Sequence, residues 1–251
     1  MVGLVCLVVY LSLRSQWSNN GWTPFRGSWL SGGAQVLTSI GFLGAVAYID
    51  VSLAALIFYF HPFVVALIGH YHGDSRLTPL LISYIAVAIA GLALVFGVSF
   101  ESLNFIGISL SLIGMAAVTV MILTVSRSSK DIGPVSANLN MTVWGVIYLL
   151  VIILIGPRLG FDIPLIYPES SIGWIAVLGA GITTTLGFVL FFTGATMIGT
   201  TRAVVLGMSE PLLAILLAIM LVNEWLTGIQ WVGVCLVLGS LVLFEVGEKR
   251  K

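Results

Sequence analysis

Long apolar stretches, each about the length of a bilayer crossing, alternate with short polar turns along this chain. Taking runs of roughly 17 to 25 apolar residues as spanning helices, the pattern predicts eight of them: 28–48, 53–71, 80–97, 104–125, 135–155, 172–192, 203–222 and 229–246. Ahead of these, Val2–Leu13 supplies only about 18 Å of helix against a hydrocarbon core of about 30 Å. It has no basic leader before it and no small-x-small cleavage site after it, so it reads as the tail of a helix rather than a signal peptide. The expected fold is an all-α polytopic membrane protein with about eight full transmembrane helices and one partial helix at the amino-terminal end.

Two interruptions of the apolar pattern carry a physical cost. Glu210 and Pro211 stand near the middle of 203–222, where a carboxylate costs about 2.5 kcal/mol or more and a proline removes a helix hydrogen bond. A second copy occurs earlier: Ala54–Thr78 aligns without a gap to Ala203–Thr227 and sets His61-Pro62 on Glu210-Pro211, Leu77 on Leu226 and Thr78 on Thr227. With Val2–Leu13 counted as a crossing, the copies are the third and eighth, an odd number apart, and so run oppositely through the bilayer. That predicts an inverted-topology repeat, with one half at 1–97, the other at 104–246 and a basic tail at 247–251. Pro62 leaves the Phe58 carbonyl without its usual donor, and Pro211 does the same for Gly207. Such backbone persists in a membrane only where protein covers it or a wet cavity lies beside it, so His61 and Glu210 are expected to face inward near the bilayer centre.

Composition removes the soluble classes. Apolar residues make up 59% of the chain and charged residues 8%, too few to build a water-facing surface. Alternate loops place Arg14, Arg26, Arg76, Arg127, Lys130, Arg202, Lys249, Arg250 and Lys251 on one side and leave Arg158 on the other, which predicts a cytoplasmic carboxyl terminus. With a formal net charge of zero and no basic tract beyond the closing "EKRK", no nucleic-acid partner is expected. Cys6 and Cys235 lie inside apolar runs and read as packing residues. No Walker loop, nucleophile elbow or His-Glu-x-x-His motif occurs, so the chain is not read as an enzyme, no cofactor is expected, and energy would come from gradients.

The mid-helix "HPF" and "SEPLL", the "NEWLT" turn and the glycine-spaced "IQWVGVCLVLGSLVLF" resemble the EamA-type drug/metabolite transporters, over about Trp29 to Phe244. The resemblance implies ten helices in two five-helix inverted repeats, cytoplasmic ends, and export or exchange of small metabolites. It also implies a first helix and the start of a second ahead of Val2. The turn after the second copy keeps Glu224, whereas the first copy reads "GDSRLT", with Asp74 and Ser75 in its place. The expectation is a gradient-driven transporter of small metabolites or drugs, an exporter or exchanger working by alternating access on the resemblance alone, in the bacterial inner membrane. The alternatives are a membrane scaffold or sensor and a truncated, inactive transporter.

Each candidate residue has two readings. Glu210 is a substrate or proton group, or a buried carboxyl hydrogen-bonded for structure. His61 lines a cavity, or bonds a carbonyl freed by the nearby proline. Trp144 and Tyr148, four apart, offer an aromatic wall or pack between helices, and Asn138 and Thr142 extend roughly the same side. Gln35, Thr38, Ser39 and Phe42 form one mixed stripe. Tyr59 lines the pathway or packs. Gly41 with Ala45, Gly107 with Ser111, and Gly179, Thr183 and Gly187 are small-residue spacings that favour close helix packing. The threonines of "GITTTLGF" bond back to helical carbonyls or offer hydroxyls to a solute. His70, His72 and Asp74 share a loop but read better as solvated interface residues than as metal ligands. The expected partners are a small-molecule substrate and the lipid bilayer, with a proton as coupling ion and a homodimer as further options.

Overall fold

The computed structural model describes residues 27–73, 76–98, 103–160, 168–222 and 226–249, and all regular structure among them is helical. The helices are α1 (Ser28–Val46), α2 (Val51–Phe58), α3 (His61–Tyr71), α4 (Pro79–Phe96), α5 (Phe105–Ile132), α6 (Pro134–Ile155), α7 (Ser171–Ile198), α8 (Thr200–Gly207), α9 (Glu210–Val222) and α10 (Gly228–Lys249). Among the described residues seven segments are long and apolar enough to cross a membrane. Leu43, Phe105, Ile172, Ile175 and Met197 are among many large apolar side chains left exposed, a surface suited to acyl chains. Val2–Leu13, Cys6, Asp74, Ser75 and Glu224 lie outside the described residues.

The expected boundaries need correction at four places. The span expected at 203–222 is two half-helices, α8 and α9, and that expected at 53–71 is likewise α2 and α3. The helix expected at 104–125 continues to Ile132 and that expected at 172–192 to Ile198. In α5 the extension is polar, and the Ser128 and Ser129 hydroxyls are satisfied within the helix, donating to the carbonyls of Thr124 (2.9 Å) and Val125 (2.7 Å). What stops α5 and α7 is glycine: Gly133 (φ 83°, ψ 151°) and Gly199 (φ 89°, ψ 147°) occupy backbone that side-chain-bearing residues avoid.

The chain divides into two compact units, Met1–Val36 with Val120–Ile198 and Leu37–Thr119 with Gly199–Lys251. Each takes residues from both sides of the 97/104 boundary.

In the second unit α4 and α10 pack closely along their length. Ile85, Ala88, Leu92 and Val95 meet Val237, Leu241 and Phe244, with Ala66, Val205, Met208 and Leu212 in the same core. Gly91 and Gly233 permit the approach, since a Cβ at either would lie 2.9 or 2.6 Å from the other's carbonyl oxygen. The Gln230 amide donates to the Val95 carbonyl at 3.1 Å, and Arg202 at the start of α8 forms a two-pronged ion pair with Glu245 on α10. A second patch joins Ala45, Ile49, Leu53 and Ala54. There Ser111 donates to the Ala54 carbonyl at 2.8 Å, and Gly41 abuts Gly114 as the small-residue spacing requires.

In the first unit the opening of α1 meets α6, where Gly32 abuts the backbone of Trp144 and Gly145. Leu139 packs with Val135, Val143 and Val189. Helix α7 departs from expectation. Gly179 and Gly187 face open space, and Thr183 donates to the Gly179 carbonyl of its own helix at 2.9 Å. Cys235 on α10 is exposed, so it is not the packing residue its apolar surroundings implied.

Candidate functional site

The two interruptions read from the sequence are matched breaks in the second unit. Helix α2 ends at Phe58 and α3 begins at His61; α8 ends at Gly207, the residue aligned with Phe58, and α9 begins at Glu210, aligned with His61. Both breaks tighten to three-residue spacing. Phe60 N–H donates to Ile57 O (3.2 Å) and Phe63 N–H to Phe60 O (3.1 Å), while Met208 donates to Val205 O, Ser209 to Leu206 O and Leu212 to Ser209 O, each at 3.1 Å. Pro62 and Pro211 then sit in the first turn of the second half-helix, where a missing N–H costs little.

The side chains at the breaks behave differently. His61 Nδ1 lies 3.0 Å from the Phe58 carbonyl oxygen, so that nitrogen carries the hydrogen and donates to the acceptor that Pro62 left bare. Of the two readings of His61, the carbonyl bond is therefore realised. Glu210 is exposed. Among the described residues it makes no hydrogen bond or ion pair, and its electrostatic neighbour is Tyr59. Beside it, the Ser209 hydroxyl donates to the Leu206 carbonyl at 2.8 Å.

Aromatic rings gather at the first break. Phe58 stands 5.1 Å from Phe42 and 5.5 Å from His61, and Tyr59 stands 6.2 Å from His61 and 6.0 Å from Phe96, centre to centre. All five rings are half-buried. Sequence reasoning selected Tyr59, His61 and Phe42 but missed Phe58 and Phe96, because a phenylalanine inside an apolar run gives no local signal of what it faces. Arg202 and Glu245, also missed as a pair, are 43 residues apart on different helices, and nothing in the sequence joins them.

Of the remaining candidates, Gln35, Asn138, Thr142, Trp144 and Tyr148 belong to the first unit. Trp144 and Tyr148 meet with ring centres 6.1 Å apart, as their spacing required. The Gln35 side-chain oxygen lies against Gly145, 2.7 Å from where a Cβ would stand. Asn138 is buried, donates to the Thr185 carbonyl at 3.4 Å and leaves its Oδ1 without a partner. The stripe at Gln35, Thr38, Ser39 and Phe42 is thus shared between units, Gln35 in the first and the other three in the second. At the end of α3, His72 Nδ1 lies 2.9 Å from the Ile68 carbonyl, and His70 Nδ1, in the helix's last turn, accepts from the Leu77 N–H at 3.3 Å. No group of three or more metal-ligating side chains occurs among the described residues.

The family model for EamA-like transporters matches residues 105–245, more than half the chain. The chain belongs to the EamA-like transporter family. The matched range contains the Glu210-Pro211 break, and the His61-Pro62 break precedes it. Segments of the chain are similar to the uncharacterized transporter sll1319 of Synechocystis, 37% identical over 31% of this chain and 25% of that protein. They are also similar to the uncharacterized transporter YwfM of Bacillus subtilis, 33% identical over 42% and 36%, and to the uncharacterized inner membrane transporter YicL of Salmonella typhimurium, 36% identical over 28% and 23%. The matched segments span between about a quarter and a third of those relatives' lengths. A solved crystal structure superposes with a TM-score of 0.80 at 18% identity, covering 96% of this chain and 83% of that one, and so shares the fold. Family and apolar helices together make this EamA-like chain an integral, multi-pass membrane protein.

Proposed function

We propose that the chain is a gradient-driven transporter of small metabolites or drugs, working outward or by exchange through alternating access, with Tyr59, His61 and Glu210 on the substrate or proton pathway. The observation that carries this reading is the coincidence of the two breaks, each with an ionisable residue opening its second half-helix and a proline next to it. Interrupted helices at membrane depth are where secondary transporters build their sites, because loosened backbone and an unpaired carboxyl are tolerated only beside a cavity or under protein cover. The halves 1–97 and 104–246 are taken as inverted repeats, with the carboxyl terminus in the cytoplasm. No motif for bond-breaking chemistry competes with this reading.

The test is flux. The full chain reconstituted in vesicles should move at least one solute of a mixed metabolite and drug panel down an imposed proton or solute gradient. Glu210→Gln should reduce that flux at least tenfold while the protein keeps its helical content. A chain that moves nothing is a scaffold, a sensor or an inactive transporter, and equal flux in Glu210→Gln removes the carboxyl from the pathway. Reporter fusions placed after Thr78 and after Thr227 should fall in opposite compartments; the same compartment for both would end the inverted-repeat reading.

A further inference from the structure

Helix boundaries in the second unit repeat in one register. The alignment that sets His61 on Glu210 also sets Val51 on Thr200, Phe58 on Gly207 and Pro79 on Gly228, and these residues bound α2, α3 and α4 in one copy and α8, α9 and α10 in the other. The same register pairs Leu53 with Arg202 and Phe96 with Glu245. The chemistry of the two copies differs there. Leu53 is buried in the apolar patch with Ala45, Ile49 and Ala54, and Phe96 is half-buried against the α4–α10 core. Arg202 and Glu245 instead meet each other, Nε donating to Oε2 at 3.1 Å and a terminal guanidinium nitrogen to Oε1.

Several features make this pair a fastening that can open. Helix α8 is a short rod with a change of backbone at each end, Gly199 (φ 89°) before it and the three-residue spacing at Met208 and Ser209 after it. Its buried residues, Ala203, Val204 and Val205, are apolar, and apolar contact has no direction, which leaves the orientation of the first turn to Arg202. Helix α10 is held to α4 along its length, so the carboxylate stands on a fixed element. The paired side chains are 28% and 31% exposed, and solvent and salt therefore weaken their attraction. The geometry of a two-pronged guanidinium–carboxylate bond is strict, so a small displacement of α8 breaks both prongs together.

Resting on the reading of the chain as an alternating-access transporter with a cytoplasmic carboxyl terminus, we infer that Arg202 and Glu245 form a latch on one side only: the pair holds the cytoplasmic start of α8 against α10 and opens when that side of the pathway opens. On the outer side, Leu53 and Phe96 stand at the equivalent positions, and closure there uses no charge.

The experiment measures distances between nitroxide labels on the full chain in lipid vesicles, with the native cysteines replaced by serine. One label pair, at Leu80 and Thr200, reports the starts of α4 and α8; its aligned counterpart, at Ile229 and Val51, reports the starts of α10 and α2. Raising the salt from about 0.1 M to about 1 M cuts the screening length from about 10 Å to about 3 Å. That should at least double the share of longer distances at Leu80–Thr200 and leave Val51–Ile229 unchanged. At low salt Arg202→Gln and Glu245→Gln should each do the same, and the double variant should go no further than either single one. Arg202→Lys keeps the charge without the fork and should do so less. Distances at Leu80–Thr200 unmoved by salt make the pair a fixed staple and overturn the latch. An equal response at Val51–Ile229, or shifts that add in the double variant, would overturn it too. The salt series uses the wild-type ion pair and decides the matter where a variant fails to fold. Parallel flux measurements keep the inference apart from the transport reading. A solute that moves while the Leu80–Thr200 distances stay fixed at both salt levels would sink the latch and leave the transporter standing, whereas no flux of any solute would sink both.

Discussion

The breaks at His61-Pro62 and Glu210-Pro211 share a backbone and differ in how the ionisable side chain is used. At the first, the imidazole turns back onto the carbonyl that the proline stranded, and the helix heals its own defect. At the second, no described side chain donates to the Gly207 carbonyl, and the exposed carboxyl has no hydrogen-bond or ion-pair partner among the described residues. The bond at the first break engages its ionisable side chain in the fold; at the second, no described residue engages it. The pair teaches that equal position in two aligned segments does not bring equal bonding.

The largest expected effect lies on the unrepaired side and concerns flux. Glu210→Gln removes charge and loses at least tenfold, whereas His61→Gln keeps an amide able to donate to the Phe58 carbonyl and should retain at least a third of the wild-type rate. Initial rates in vesicles at matched protein density measure both. Equal losses would mean that the two breaks share one job.

For stability the order reverses. His61→Ala strips the Phe58 carbonyl of its donor and should cost about 1–2 kcal/mol, the usual range for stranding a buried polar group, with His61→Gln recovering part of it. Glu210→Ala removes a side chain with no hydrogen bond or ion pair among the described residues and should stay within about 0.5 kcal/mol of wild type. Equilibrium unfolding in mixed micelles resolves these values, and a larger cost for Glu210→Ala than for His61→Ala would contradict the division of labour.

The positions of both breaks were legible in the sequence because an ionisable residue followed by proline is too costly at mid-membrane to be incidental. That one run was in fact two half-helices was not legible, because hydropathy over Ala203–Val222 measures greasiness and is blind to whether the backbone turns at Met208 and Ser209. The same blindness hid the ends of α5 and α7. Residues 126–132 turn polar while the helix continues with Ser128 and Ser129 bonded back to its own carbonyls, and the stop is a property of Gly133 that only its dihedral angles reveal. At the site, the sequence could offer two readings of His61 but not choose, since the choice depends on a rotamer that brings Nδ1 to its own preceding turn. Phe58 and Phe96 were invisible for another reason: their significance lies in which rings they meet across helices.

The smallest expected effect is the sharpest on the comparison, because two substitutions share every cost except one. Pro62→Ala and Pro211→Ala each return a backbone N–H four residues after a stranded carbonyl and each loosen the unfolded chain, a penalty of about 0.4–1 kcal/mol common to both. At 211 the restored N–H meets the Gly207 carbonyl, which has no side-chain donor among the described residues, and gains a hydrogen bond. At 62 it meets the Phe58 carbonyl, which His61 already occupies at 3.0 Å, and gains little. Subtracting one variant from the other cancels the chain-entropy penalty and leaves the bond, so Pro211→Ala should be the more stable of the two by about 0.5–1 kcal/mol. Combining each with His61→Ala closes the cycle. The gap should vanish when the imidazole is gone, because both carbonyls are then equally bare, and a gap that persists would place the difference between the breaks somewhere other than in that one hydrogen bond.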